Sequence, residues 1–246
     1  MIKDASINSD VVIPEFHQRP ETYLGESRAE PEKDVFSFFK HVLQAEGLSP
    51  KRFLDVGCAT GDLLAFIGRN YPDAQLTGVD IDTKLIDVAR LRTELSKAQL
   101  LVADGLNAAV GKFDVVTSFG TLGIFDNFEP LLENLVANTA PGGRVYVQAL
   151  LNPDDIDVRI AYRDNLNGLD WMRGFNIFSR AQVNRWASMR GLKADFADFR
   201  MTSFLPKRES LPHRAHSLDL ADGTRRTTNG LCLLLPETLM EIHVPV

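Results

Sequence analysis

Between residues 31 and 151 the chain alternates short apolar runs with stretches in which apolar residues recur every three or four positions. In PEKDVFSFFKHVLQAEG, residues 31–47, Val35, Phe38, Phe39, Val42 and Leu43 fall at helical spacing, with Pro31 and acids in the first turn and Gly47 as the stop, which predicts a helix. RFLDVG at 52–57 reads as a strand ending in glycine, and DLLAFIGRNY at 62–71 as the helix after it. QLTGVDI (strand), KLIDVARLRTEL (helix), AQLLVADG (strand), FDVVTSFG (strand), FEPLLENLVANTA (helix) and RVYVQALL (strand) follow in that order. Five apolar strands among amphipathic helices over 52–151 predict βαβ units and a mostly parallel sheet with helices on both faces. With right-handed crossovers this is a doubly wound α/β fold, expected here with seven strands. Pro141, Gly142 and Gly143 predict a tight reversal before the last of these strands.

The flanks are less regular. The first 30 or so residues are polar and broken by Pro14, Pro20 and Pro31, which predicts an irregular arm. Residues 152–178 hold polar and glycine breaks and read as a lid-like connection with room for one helix. SRAQVNRWASMRG, 179–191, predicts a helix with Ser179 as N-cap and Gly191 just past its end. LKADFADFRMTSF alternates as a strand does, TNGLCLLL and TLMEIHV are further strand candidates, and PKRESLPHRAHSLDLADGTRRT between them is a basic, polar insertion. The expected organisation is one domain over 1–246, with an arm and helix at 1–51, a ligand-binding core at 52–151, and cap insertions with sheet completion at 152–246.

Composition narrows the partners. At 246 residues and 44% hydrophobic the chain can bury a core without staples. A formal charge of −6 disfavours binding that relies on nucleic-acid phosphates, so no nucleic-acid partner is expected. Cys58 and Cys232 make neither a disulfide framework nor a zinc spacing, which fits a reducing cytoplasm and no metal. The N-terminus lacks the apolar core of a secretory signal, and no apolar run approaches the roughly 18 to 20 residues of a membrane span.

The chemistry sits at the strand ends. In Leu54-Asp55-Val56-Gly57-Cys58-Ala59-Thr60-Gly61 a strand runs through a glycine turn into a helix, and Gly57 and Gly61 let the backbone pass close to a ligand. The spacing is neither that of a dinucleotide pyrophosphate loop nor that of a nucleoside triphosphate loop, which would end in Gly-Lys-Ser/Thr. Asp55 would repel a pyrophosphate but suits a network around a zwitterion. Asp80, at the tip of the second strand, is placed to accept both hydroxyls of a ribose. Asp104, at the tip of the third, can accept from an exocyclic amine, and the fourth strand ends in small residues that would line a channel.

As a set, these residues resemble the class I S-adenosylmethionine-dependent methyltransferases over 52 to about 151, from the LDVGCATG loop to the PGGRVYV return. The resemblance implies S-adenosyl-L-methionine as cofactor, with S-adenosyl-L-homocysteine as product. It implies that Gly57, Cys58, Ala59 and Gly61 line the methionine and ribose portion, with Asp55 counted beside them as cofactor-binding. It further implies that Asp80 holds the ribose diol, Ile81 packs on adenine, Asp104 and Gly105 meet the adenine edge, and Ser118 and Phe119 border the methionine end. Ala59 stands where a glycine is common and adds one methyl to the loop.

Other residues read as structure. Cys58 is a small loop residue rather than a nucleophile, Asp62 and Asp82 are helix-start acids, and Asp114 belongs to a strand end. Trp171, Phe175, Phe178 and Trp186 are either a substrate wall or core; core is favoured, because the 179–191 helix needs Val183, Trp186 and Met189 on its apolar face. Methyl transfer needs in-line placement and, for an acceptor of high pKa, a base. His213 and His216 in the late insertion are the candidate bases, with His17, Tyr23 and Arg28 on the arm behind them; Arg28 or Arg159 can meet an anionic group. The expected acceptor is a small molecule, O-methylated, with a sugar or glycan-linked compound suggested by a loose resemblance of the C-terminal stretch to glycan-pathway methyltransferases. RNA or protein methylation, or cofactor binding without transfer, are the alternatives. An Asn/Asp-Pro-Pro-Tyr/Phe amine-methylation motif is missing after the fourth strand, where the chain reads Ser118-Phe119-Gly120-Thr121.

Overall fold

The computed structural model describes residues 33–168, 170–199, 202–207, 209–210, 215–228 and 237–245. The first helix, α1, spans Asp34–Ala45. Its most buried residues are Phe36, Phe39 and Leu43, with Val35, Phe38 and Val42 packed beside them, so its apolar face is wider than the predicted stripe and turned by one residue. The reason is a double contact. Phe39 sits between Phe119 and Tyr146 of the sheet, with ring centroids 5.4 and 5.0 Å away, while Phe38 stacks on Phe199 at 5.1 Å.

The predicted alternation follows: β1 (Arg52–Val56), α2 (Asp62–Asn70), β2 (Gln75–Asp80), α3 (Thr83–Arg90), β3 (Gln99–Val102), β4 (Phe113–Phe119), α4 (Glu129–Ala137) and β5 (Thr139–Asn152). The helix expected over 84–95 stops at Arg90, and a 3-10 turn at Thr93–Leu95 replaces its end. Asp82 caps α3 through the backbone N–H groups of Lys84 and Leu85, and Asp114 accepts from those of Lys51 and Arg52. Both acids are therefore structural at their strand and helix ends.

Pro141–Gly143 does not make the reversal. It lies inside β5 as a bulge, where the pairing with β4 shifts register between Phe113 and Val115. Gly143 is needed there because a Cβ would stand 2.9 Å from the carbonyl oxygens of both Ala140 and Asp114. The chain turns instead at buried Asn138, whose amide donates to the carbonyls of Ala108 and Asn134 at 2.8 Å and accepts from Val110 N–H at 3.0 Å.

Residues 152–178 hold no helix among those described. They form β6 (Ala161–Arg163) and β7 (Trp171–Arg173), an antiparallel hairpin, then β8 (Phe178–Ser179) beside β5. The exposure of β7 alternates with period two, and Asp164 closes the turn by accepting from both nitrogens of Asn167. Helix α5 (Arg180–Met189) keeps its predicted cap, Ser179 Oγ accepting from Gln182 N–H at 3.0 Å, and Gly191 follows at φ +68. Val183 and Trp186 are buried, whereas Met189 is exposed. Phe178 and Trp186 pack on Phe128 with centroids 5.1 and 6.3 Å away, so these two are core as expected, while Trp171 is exposed.

The remaining strands are β9 (Lys193–Phe199), β10 (His216–Asp219), β11 (Arg225–Thr228) and β12 (Glu237–His243). β10 and β11 form a hairpin within the basic insertion. The TNGLCLLL candidate lies outside the described residues beyond Thr228. The main sheet runs β3-β2-β1-β4-β5-β12-β9, with β8 paired to β5 beside this seven-strand path. β1 to β5 are parallel, and β12 is antiparallel to both its neighbours. One apolar cluster covers each face. The order reverses between β1 and β4, the point at which a doubly wound sheet opens a crevice. Among the described residues no helix is long and apolar enough to cross a membrane.

Candidate functional site

A cavity of about 410 Å³ opens at that reversal, over the C-terminal ends of β1 to β5. Its floor is the turn after β1. Gly57 and Gly61 have φ of +79 and +80, and Ala59 is the single non-glycine residue among those described with positive φ, +47. The turn is pinned by its own backbone: Gly57 and Cys58 N–H donate to Val79 O at 2.8 and 3.0 Å, and Gly61 N–H to Cys58 O at 2.8 Å. A Cβ on Gly57 would lie 2.6 Å from Thr121 Oγ1, and one on Gly105 2.7 Å from Val56 Cγ1. Both glycines are thus fixed by close approach of neighbouring segments.

Three carboxylates stand at successive strand ends. Asp80 accepts from Ala59 N–H at 2.8 Å and Asp82 N–H at 2.9 Å, which ties the second strand to the turn. Buried Asp104 accepts from Leu106 N–H and Asn107 Nδ2. Asp55, also buried, accepts from Thr117 Oγ1 at 2.8 Å. Burial, reinforced by the Asp80 charge and opposed by the Thr117 hydroxyl, pushes the Asp55 carboxyl up to about 7. Burial likewise raises Asp80, against the backbone N–H groups of Asp82 and Ala59. Among the described residues none of the three carries a hydrogen bond from a cationic side chain. Cys58 is buried and its thiol is pushed well up, by burial first and then by Asp55 and Asp80, which disfavours the thiolate.

The cofactor-site residues predicted from sequence divide in two. Asp55, Gly57, Cys58, Ala59, Asp80, Ile81, Asp104, Gly105 and Phe119 come together on the cavity lining. Gly61 and Ser118 do not. Gly61 lies behind the turn, where its φ of +80 and a Cβ position 2.4 Å from Leu95 Cδ1 together call for glycine. Ser118 is fully buried, and its Oγ finds no hydrogen-bond partner among the described residues.

Of the candidate bases, His216 opens β10, opposite Thr228, and is not on the lining. His213 lies outside the described residues, as do His17, Tyr23 and Arg28. Arg159 is not on the lining and pairs with Asp126 at 2.7 Å. Asp62, read as a helix-start acid, both opens α2 and lines the cavity, held by Arg92 at 2.7 Å.

Lining residues that the sequence reading missed come from three places: Lys33 and Phe36 at the start of α1, Thr121, Ile124 and Phe125 after β4, and Gln148 on β5; Phe175 after β7, for which the sequence favours core over a substrate wall, also lines the cavity. Gln148 carries a visible signal, a polar residue inside the apolar run RVYVQALL. The others depend on tertiary placement.

A family model described as a methyltransferase domain matches residues 30–195. The demethylmenaquinone methyltransferase of Thermus thermophilus is 32% identical over 119 residues, 47% of this chain and 54% of that protein. The chain spans about half or less of the length of the first curated relatives it matches. Among solved structures, the [4+2]-cyclase SpnF superposes with a TM-score of 0.62 at 18% identity, over 90% of this chain and 85% of that one. S-adenosylmethionine-bound CalS10 of Micromonospora echinaspora, an amino pentose methyltransferase, does so with a TM-score of 0.56 at 14% identity, over 99% and 100%. At these identities the two structures speak for the fold.

Proposed function

The chain belongs to the methyltransferase-domain family of class I S-adenosylmethionine-dependent enzymes, and on that premise we propose that it transfers the methyl group of S-adenosyl-L-methionine to a hydroxyl of a small molecule. The observation that carries this reading is the row of carboxylates at the ends of β1, β2 and β3, which among the described residues take no hydrogen bond from a cationic side chain, beside a neutral stretch of lining over β4 and β5. The cofactor, when bound, supplies a methyl on a positively charged sulfur. The residues fit such a group. Asp80 at the end of β2 is placed for the ribose diol, and Asp55 for the ammonium of the methionine portion, while Ile81 packs on the base and Asp104 with Gly105 meets its edge. Gly57, Cys58 and Ala59 bring backbone alongside it, and Phe119 borders the reacting end. On this reading Gly61 and Ser118 act from behind the lining.

The division into an arm and helix at 1–51, a cofactor core at 52–151, and a cap with sheet completion at 152–246 is part of the same proposal. His213 and His216 are its candidate bases. Replacing each with alanine tests them: a lower transfer rate at unchanged cofactor affinity supports the role, and full activity in both removes it. A sugar or glycan-linked acceptor has only the loose resemblance of the C-terminal stretch behind it.

The whole reading is tested by calorimetry with S-adenosylmethionine and S-adenosylhomocysteine, followed by measurement of S-adenosylhomocysteine release over a panel of small hydroxyl compounds, RNA and protein. Release on small hydroxyl compounds supports it. Tight binding without turnover on any acceptor would favour a binding protein instead.

A further inference from the structure

The cavity changes character along the sheet. Over β3, β2 and β1 it presents Asp104, Asp80 and Asp55; over β4 and β5 it presents Phe119 and Gln148. The wall facing this second half is made by Phe125 and Phe175, from two different loops. Phe175 lies against Gly123, where a Cβ would stand 3.2 Å from its Cδ1. The two loops are joined by Asn176, which is 5% exposed and fully used. Its N–H donates to Gly123 O at 2.6 Å, its Nδ2 to Phe125 O at 2.9 Å, and its Oδ1 accepts from Ile160 N–H at 3.3 Å. Outside, Asp126 pairs with Arg159 at 2.7 Å and with Arg173. The aromatic wall is therefore held in place by a buried amide and by ion pairs that face away from the cavity.

We propose that this half is a slot for a neutral, flat, apolar ring bearing the hydroxyl to be methylated, with Phe175 as a specificity-determining residue. The inference rests on the proposed reading of the cavity as a cofactor site with an adjoining acceptor site. Phenyl walls desolvate an apolar ring and stack on it, whereas the hydroxyls of a sugar would lose water there without finding partners. An acceptor with a carboxylate meets the field of Asp55, Asp80 and Asp104 one strand away.

The test uses the full chain, titrated by calorimetry with 2-naphthol, 2-naphthoate and methyl α-glucoside, each with and without S-adenosylhomocysteine. Saturable 2-naphthol binding is expected, at least about tenfold tighter than either other probe and weakened about tenfold by Phe175→Ala. Phe175→Leu should fall between. Unchanged S-adenosylhomocysteine affinity in both variants shows that they fold. Absent 2-naphthol binding, equal binding of the glucoside or naphthoate, or indifference to Phe175→Ala would overturn the slot. Failure of the wild-type chain to bind S-adenosylhomocysteine would instead overturn the cofactor reading, and the slot would then be judged on the titrations without it.

Discussion

Acids are gathered at two places in the sheet, and the two are handled in opposite ways. At the cavity, Asp55, Asp80 and Asp104 are met by backbone N–H groups, a hydroxyl and an amide. On the antiparallel side, β5, β12 and β9 form a small lattice in which Tyr146, Glu241 and Asp195 lie in one cross-strand row and Arg144, His243 and Lys193 in the next. There Glu241 meets Arg144 at 2.9 Å and His243 at 3.2 Å, Asp195 meets Lys193 at 2.8 Å, and Tyr146 Oη donates to Glu46 at 3.0 Å. The lattice sets cationic side chains directly beside its acids. Among the described residues Asp55, Asp80 and Asp104 have no cationic side chain in hydrogen-bond contact, which is the arrangement expected where a cationic ligand completes the site. Acidic residues alone do not distinguish the two places; their partners do.

The largest effect that would break this contrast is loss of Asp80. Asp80→Ala should weaken S-adenosylmethionine binding by about 100-fold or more, since two charge-assisted hydrogen bonds disappear, while Glu241→Gln leaves it unchanged. Calorimetry on both variants decides it, and equal affinities would remove the ribose assignment. Next comes Gly61→Ala, where positive φ and the contact with Leu95 combine. It should destabilise the fold by roughly 1–3 kcal/mol in urea denaturation, whereas Gly191→Ala, with open space around it, pays only the backbone term.

A third effect is on pH dependence. Asp55 titrates at about 7 in the folded chain against 3.8 as an ordinary carboxyl, so the folded state holds a proton that the unfolded chain has released between those values. Stability therefore falls as pH rises from about 4 to about 7. Burial lifts Glu241 to about 7 as well, with the same sign. Asp55→Asn and Glu241→Gln should each flatten the slope of stability against pH, but bound S-adenosylmethionine should reduce only the Asp55 share, because a nearby cation favours its ionised form. A ligand effect of equal size in both variants would erase the distinction between the two places. The smallest expected change is at Ala59→Gly, where relief of the left-handed strain and added chain entropy nearly cancel, leaving less than about 1 kcal/mol by the same denaturation.

The strand-end acids were legible because each closes an apolar run that position along the chain already defines. Asp55, Asp80 and Asp104 need only the alternation of strand and helix to be brought side by side. Phe175 was legible only as one of four aromatics that could be wall or core, since which of them reaches the cavity depends on Asn176 joining two loops whose residues are about 50 apart in sequence. The reversal expected at Pro141–Gly143 shows the opposite failure. Proline and glycine there punctuate a bulge inside a strand, and the turn falls to Asn138, whose side chain does the work of a turn's backbone. The lattice was invisible for a simpler reason: its rows exist only once β12 is in register with both of its neighbours.

That position of β12 also bears on how the sheet comes together in time. β9 precedes β12 in the chain, yet β12 lies between β9 and β5. Until it arrives, β5 and β9 each present an unpaired edge to the other, with no correct way to close the gap. Direct pairing of those two edges would be a trap to be undone before the native order forms, and the separation of about 95 residues between Tyr146 and Glu241 makes the correct closure slow. Removing β12 would divide the sheet rather than trim its border.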